Sequence, residues 1–171
     1  MVAIDGLPPG TMLHSDSFLD LFFNMVRAIP GGLLGGERDE FDTSMILDMC
    51  GTGTQTGYCR TIPIPMHVAM DSAPRTPGTP VQSFDTDMFL MQGQITGDPD
   101  FDLLRITGGT GFGMPSPGHT TLTRLGSGNY NVDSFFDIEY RIDFVGHPGG
   151  PFGGMSGSTT ATIRMTQGIT V

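Results

Sequence analysis

The chain contains no lysine and no tryptophan, only two cysteines, and no apolar run long enough to span a bilayer. Each absence removes a class of function. Phosphate backbones and anionic lipids are held by clustered Lys and Arg. Here eight Arg face 18 acids at a net charge of −10, so neither nucleic acid nor membrane insertion is expected. Without Trp and with only three Tyr, the usual stacking platform for sugars is missing. The N-terminal "MVAIDGLPPG" has neither the basic start nor the apolar stretch of a signal peptide. Glutamate is scarce, and Asp, which bonds its own backbone in turns and at strand ends, supplies most of the acids.

What is abundant is punctuation. With 26 Gly and 13 Pro among 171 residues and a mean hydropathy near zero, the chain reads as one globular, all-β domain over residues 1–171. Period-two alternation supports this. Phe41, Thr43, Met45, Leu47 and Met49 share one face of their segment, and so do Ile62, Ile64, Met66, Val68 and Met70 of theirs. Pro63 and Pro65 cannot donate to a ladder, so that strand is expected at a sheet edge or with its prolines on an unpaired side. "SFLDLFFNMVRAI" fits helical spacing as well as a strand. Cys50 and Cys59 bracket "GTGTQTGY", a hairpin tip whose arms set the sulfurs opposite each other, and a disulfide in an oxidising compartment is expected.

An internal likeness decides the ambiguous segment. "GLPPGTML", "DSFLD", "PGGLLGG" and "TSMILDM" are followed in the same order by "GMPSPGHTTL", "DSFFD", "PGGPFGG" and "TTATIRM". The second "DSF" segment alternates strictly, with Ser134, Phe136, Ile138, Tyr140, Ile142 and Phe144 on one side, so both are expected to be strands. Two pseudo-repeats, 6–71 and 113–171, with 72–80 as a proline-stiffened connection, predict a two-sheet β-sandwich or flattened barrel in which each unit supplies half of one core.

Chemistry is thinly represented. "GDPDFD" sets Asp98, Asp100 and Asp102 at alternate positions, as at the start of a calcium loop. Leu103 and Gly109 then stand where an EF-hand needs its Gly and Glu, leaving a simpler turn site for Ca²⁺ as the expectation. Asp85 and Asp87 read as a solvated strand entry, and the pairs Asp16/Asp20 and Asp133/Asp137 as an outward polar row. Phe18 and Phe135 sit between those acids and point outward, as at an interface with another subunit or a small cluster under a loop. His14, His67, His119 and His147 are scattered. Ser116 with His119 is the nearest Ser/His neighbourhood, and it lacks a nucleophile elbow. "GGTGFGMPSPG" leads into prolines rather than a helix and cannot aim a helix terminus at phosphate.

The stretch from Gln82 to Met165, through "PSPGHTTL", "DSFFDIEYRIDF" and "SGSTTATIRM", resembles an uncharacterised β domain of large secreted proteins of planctomycete-type bacteria, and Leu7 to Met70 resembles it more weakly. The resemblance implies an extracellular or cell-surface setting and carries no catalytic residues. The expectation is therefore a secreted, non-enzymatic structural or interaction module, Ca²⁺-stabilised, that forms homo-oligomers or binds other surface proteins. A Ca²⁺-dependent carbohydrate-binding module, with a glycan as partner, is the alternative. A hydrolase of extracellular polymers comes third.

Overall fold

The computed structural model describes residues 6–170, with side chains described throughout except at 14–27 and 167–170. Eight strands follow one another: β1 (Leu13–Pro30), β2 (Glu37–Gly51), β3 (Cys59–Ser72), β4 (Val81–Thr96), β5 (Phe101–Gly108), β6 (Pro117–Arg124), β7 (Tyr130–Gly146) and β8 (Ser156–Thr170). Single 3₁₀ turns occupy 53–55 and 110–112, and the described residues contain no α-helix. The Gly- and Pro-rich segments fall between the strands, where reversals need them. "SFLDLFFNMVRAI" is a strand. Its register against β2 slips between Asp20 and Phe23 and again between Phe23 and Arg27, and such irregularities blur a period of two.

All pairings among the described residues are antiparallel and join the strands into one continuous eight-stranded sheet rather than two separately hydrogen-bonded ones. Four strands, β4, β5, β7 and β6, pair in a closed ring. The registers show how. On one edge β4 meets β3. On the other, Met91–Thr96 pairs with β5 and Val81–Asp87 with β6. Likewise β7 has β8 along one edge, with β6 and then β5 along the other. Strands β5 and β6 thus lie end to end in a single line between β4 and β7, interrupted by the excursion 109–116.

That interruption would leave backbone groups of β4 and β7 unanswered inside the sheet. Ser116 answers them. It is fully buried: its carbonyl accepts from Met88 N at 2.9 Å, and its hydroxyl accepts from Glu139 N at 3.2 Å while donating to Met114 O at 3.0 Å. Gly109 opens the excursion at φ +106°, where a Cβ would lie 2.6 Å from the carbonyl oxygen of Phe89.

The alternating rows read from sequence are the core: Phe41, Met45, Leu47 and Met49 of β2, Ile62, Ile64, Met66 and Val68 of β3, and Ile138, Tyr140, Ile142 and Phe144 of β7. The proline-bearing half of β3, Cys59–Pro65, pairs with β2 but extends beyond the residues that pair with β4, so Pro63 and Pro65 have an unpaired side. At one end the sheet curls until the β2–β3 tip meets the β7–β8 loop. There Phe152 stacks on Phe101 at 5.0 Å between ring centroids and takes the edge of Tyr58 at 4.9 Å, while Gln55 Nε2 donates to Pro151 O at 2.8 Å.

The two matched sequence units contain the hairpins β1–β2 and β7–β8 at opposite ends of the sheet, and residues 73–80 simply join β3 to β4. The corresponding loops are used differently. Phe152 plugs the core, whereas Leu34, its counterpart in "PGGLLGG", is only half-buried.

Replacing Ser116 by Ala should leave the Glu139 amide without its acceptor and lower the unfolding free energy by about 1–3 kcal/mol, read from the urea midpoint. Phe152→Ala, which empties the ring cluster, should cost about 3–5 kcal/mol in the same assay.

Candidate functional site

Polar chemistry concentrates in three places. The first is the β4–β5 turn, where Asp98 accepts from the Asp100 amide at 3.0 Å, the short-range bond that Asp makes in turns. Arg60, from the start of β3, reaches across with two nitrogens on the two Asp98 oxygens, both at 2.6 Å, and one also at 2.7 Å from Asp100 Oδ2. Tyr58 donates its hydroxyl to the same Asp100 oxygen at 2.9 Å. Asp102 turns elsewhere, to Nδ1 of His147 at 2.7 Å. Of the three aspartates named from sequence, two converge and the third does not, and the cation between the two is a guanidinium.

No group of three or more His, Cys, Asp or Glu among the described residues could hold a metal ion. Arg60 hydrogen bonds hold Asp98 below the usual carboxylate range, and burial, with Asp100 as acceptor, pushes the Tyr58 phenol upward. The two residues that grip the turn flank Cys59, which pairs with Cys50 at the last rung of β2–β3 and is bonded to it with S–S 2.07 Å. The expected disulfide is present, and it fixes the base from which Tyr58 and Arg60 reach.

The second cluster lies under the loop after β1. Asp71 is completely buried, held by both oxygens through Arg38 Nε and Nη2 at 2.7 Å each and by the Leu33 amide at 2.8 Å. Gly32, at φ +78°, lets the loop come this close, since a Cβ there would lie 2.5 Å from Asp71 Oδ1. Burial alone would raise the Asp71 carboxyl, but the Arg38 and Leu33 bonds outweigh it and hold it low. Arg38 also lies 3.5 Å over the ring of Phe89. Next to it, Asp87 is pushed up by burial, with one oxygen accepting from Thr110 at 2.8 Å and the other without a partner. Asp87 is therefore no solvated strand entry, whereas Asp85 is exposed.

The third place is the outer face of β4 and β6. Here Asp85 and His119 are cross-strand partners, with His119 Nδ1 3.0 Å from Asp85 Oδ1 and Nε2 2.7 Å from the Ser83 hydroxyl. Ser116, the serine near His119 in sequence, spends its hydroxyl on the backbone instead. Farther along the same face, an open groove of about 620 Å³ is lined by His67, Gln92, Gln94, Arg105 and Thr107, with His67 bonded to Asp42 at 2.8 Å.

Phe135 is half-buried on that outer face under Arg164, whose guanidinium stands 4.5 Å from the ring centre and also pairs with Asp137 at 2.7 Å. The side chain of Phe18 lies outside the described residues. Among the described residues no helix is long and apolar enough to cross a membrane. Compared with known proteins, the chain matches no family model, no curated protein and no solved structure.

Removing Arg38 strands a fully buried carboxylate, so Arg38→Met should cost about 3–5 kcal/mol at neutral pH. Because Asp71 and Asp98 titrate below their unfolded values, the stability they contribute is present above the ordinary carboxylate range and lost as pH falls through their lowered folded values. Asp87 has the opposite sign. Its raised value means stability present below the unfolded pKa and lost as pH rises, so Asp87→Asn should raise the melting temperature at pH 7 and lose that advantage in acid.

Proposed function

We propose that this chain is an extracellular or cell-surface structural domain that associates with further copies of itself along the free edge of β8. The observation that carries the proposal is that edge. Along its length β8 has β7 on one side, and no strand pairs with its other side among the described residues. Near Ser156 and Gly157 the segment around Gly6 comes close.

A long open edge presents unpaired N–H and C=O groups, and proteins that must stay monomeric blunt such edges with Lys, Pro, charge or bulges. The segment "SGSTTATIRMTQGIT" contains no Pro and one charge, Arg164, and its fifteen rungs with β7 run without a register shift. Ile163, on the core side of the strand, is 37% exposed where the row ends.

The occupant is a second β8. Successive lines of the sheet alternate in direction, so β1 and β8 run the same way, and β8 against the β1 of a neighbour would pair in parallel. A two-fold relating β8 to β8 gives an antiparallel ladder with core-side residues on one face of both copies. The disulfide fits an oxidising compartment, and the likeness between the terminal hairpins fits a duplicated architecture. The β8 segment carries no carboxylate that a metal could bridge, and at the β4–β5 turn Arg60 already stands between Asp98 and Asp100, so the association proposed here is one without Ca²⁺.

Light scattering should give a dimer whose mass is unchanged by EDTA and which strengthens as salt screens the −10 charge. Thr162→Lys and Ile163→Lys should each yield a folded monomer. A wild-type monomer at high concentration would sink the proposal.

A further inference from the structure

The outer face of β4 and β6 carries a hydrogen-bonded series in the order nucleophile, base, acid. Ser83 Oγ is 2.7 Å from His119 Nε2, and His119 Nδ1 is 3.0 Å from Asp85 Oδ1. These are the two contacts, on the two different imidazole nitrogens, by which an imidazole activates a serine while a carboxylate fixes its tautomer. The sheet makes them by register. Asp85 and His119 are direct partners, and Ser83, two residues back along β4, shares the face of Asp85 and pairs with Thr121 on β6.

We propose that Ser83 is an activated nucleophile that takes the acyl group of small uncharged esters and passes it to water. With Asp85 accepting from Nδ1–H, the free Nε2 electron pair takes the hydroxyl proton as Ser83 Oγ bonds to the ester carbonyl carbon. The tetrahedral adduct collapses, the carbon–oxygen bond to the leaving alcohol breaks, and His119 returns the proton to that oxygen. Water then attacks the acyl-serine with His119 as base, releasing a carboxylic acid and restoring Ser83. The Thr121 hydroxyl, 3.3 Å from Ser83 Oγ, is placed to donate to the oxyanion.

The setting fixes the kind of catalyst this is. Asp85 is 78% exposed and His119 38% exposed, so no wall excludes water and the oxyanion is stabilised weakly. Turnover is slow, selectivity among acyl groups is loose, and anionic esters are disfavoured by the acidic surface. This site stands apart from the β8 edge.

The test uses the whole purified chain with 4-nitrophenyl acetate and a fluorophosphonate probe, and peptide mass mapping locates any adduct. The expected result is an acetyl or phosphonyl group on Ser83, formed roughly 100-fold more slowly in His119→Gln and absent in Ser83→Ala, with melting temperatures unchanged in both. Release of nitrophenol with no adduct on Ser83, or equal labelling in His119→Gln, would overturn the proposal. So would the absence of labelling in the folded wild type.

Discussion

The sheet depends on how one break in its middle is mended. A buried β-ladder leaves no room for unanswered amides and carbonyls, yet the line formed by β5 and β6 is cut where β4 and β7 run on. Ser116 closes the cut with its carbonyl on one side and its hydroxyl on the other, a side chain standing where main chain would be. Its neighbourhood follows from this. On β4 the register slips beside the break, between Ala69/Leu90 and Met70/Met88, and Phe89 is the extra residue. The turned-out Phe89 ring is what Arg38 lies against, and Arg38 in turn neutralises Asp71. A backbone defect, a cation–π contact and a buried ion pair are thus one connected arrangement.

The scarcity of cations gives the few present unusual weight. In a chain with eight arginines and no lysine, two of the arginines serve loop anchors: Arg38 of β2 neutralises Asp71, the buried carboxylate that holds the β1–β2 loop through the Leu33 amide, and Arg60 ties the β4–β5 turn to the disulfide-closed tip. A guanidinium can bind both oxygens of a carboxylate in fixed geometry, which an ammonium cannot. The acidic surface and the arginine-only cation set are therefore compatible with rigid loops.

Much of the fold could be read from residue order. Period-two rows named the core of β2, β3 and β7 residue by residue, and the spacing of Cys50 and Cys59 across a Gly/Thr tip gave the disulfide. The arrangement of strands could not be read. Alternation fixes which face a residue takes, but not which strand lies alongside, and the end-to-end placement of β5 and β6 depends on pairings with both β4 and β7. The polar sites were hidden for the same reason. Asp98 and Asp100 advertise a cation site, but their partner Arg60 is about forty positions away. His119 drew attention to the neighbouring Ser116, while the serine it meets is 36 positions back on β4. Asp71 gave no signal at all, since nothing local distinguishes an acid at a strand end from one that a loop will cover.

The direction of the two outer strands bears on mechanics. The chain enters the sheet at Leu13, beside the disulfide-closed tip, and leaves it at Thr170, opposite Asn131 at the far end of β7. Tension applied through those two points acts along the strands, and the ladders of β1 on β2 and β8 on β7 meet it in shear. Rungs loaded together must break together, whereas rungs peeled from one end fail in succession. A sheet threaded this way is suited to carrying load along the line of its own chain.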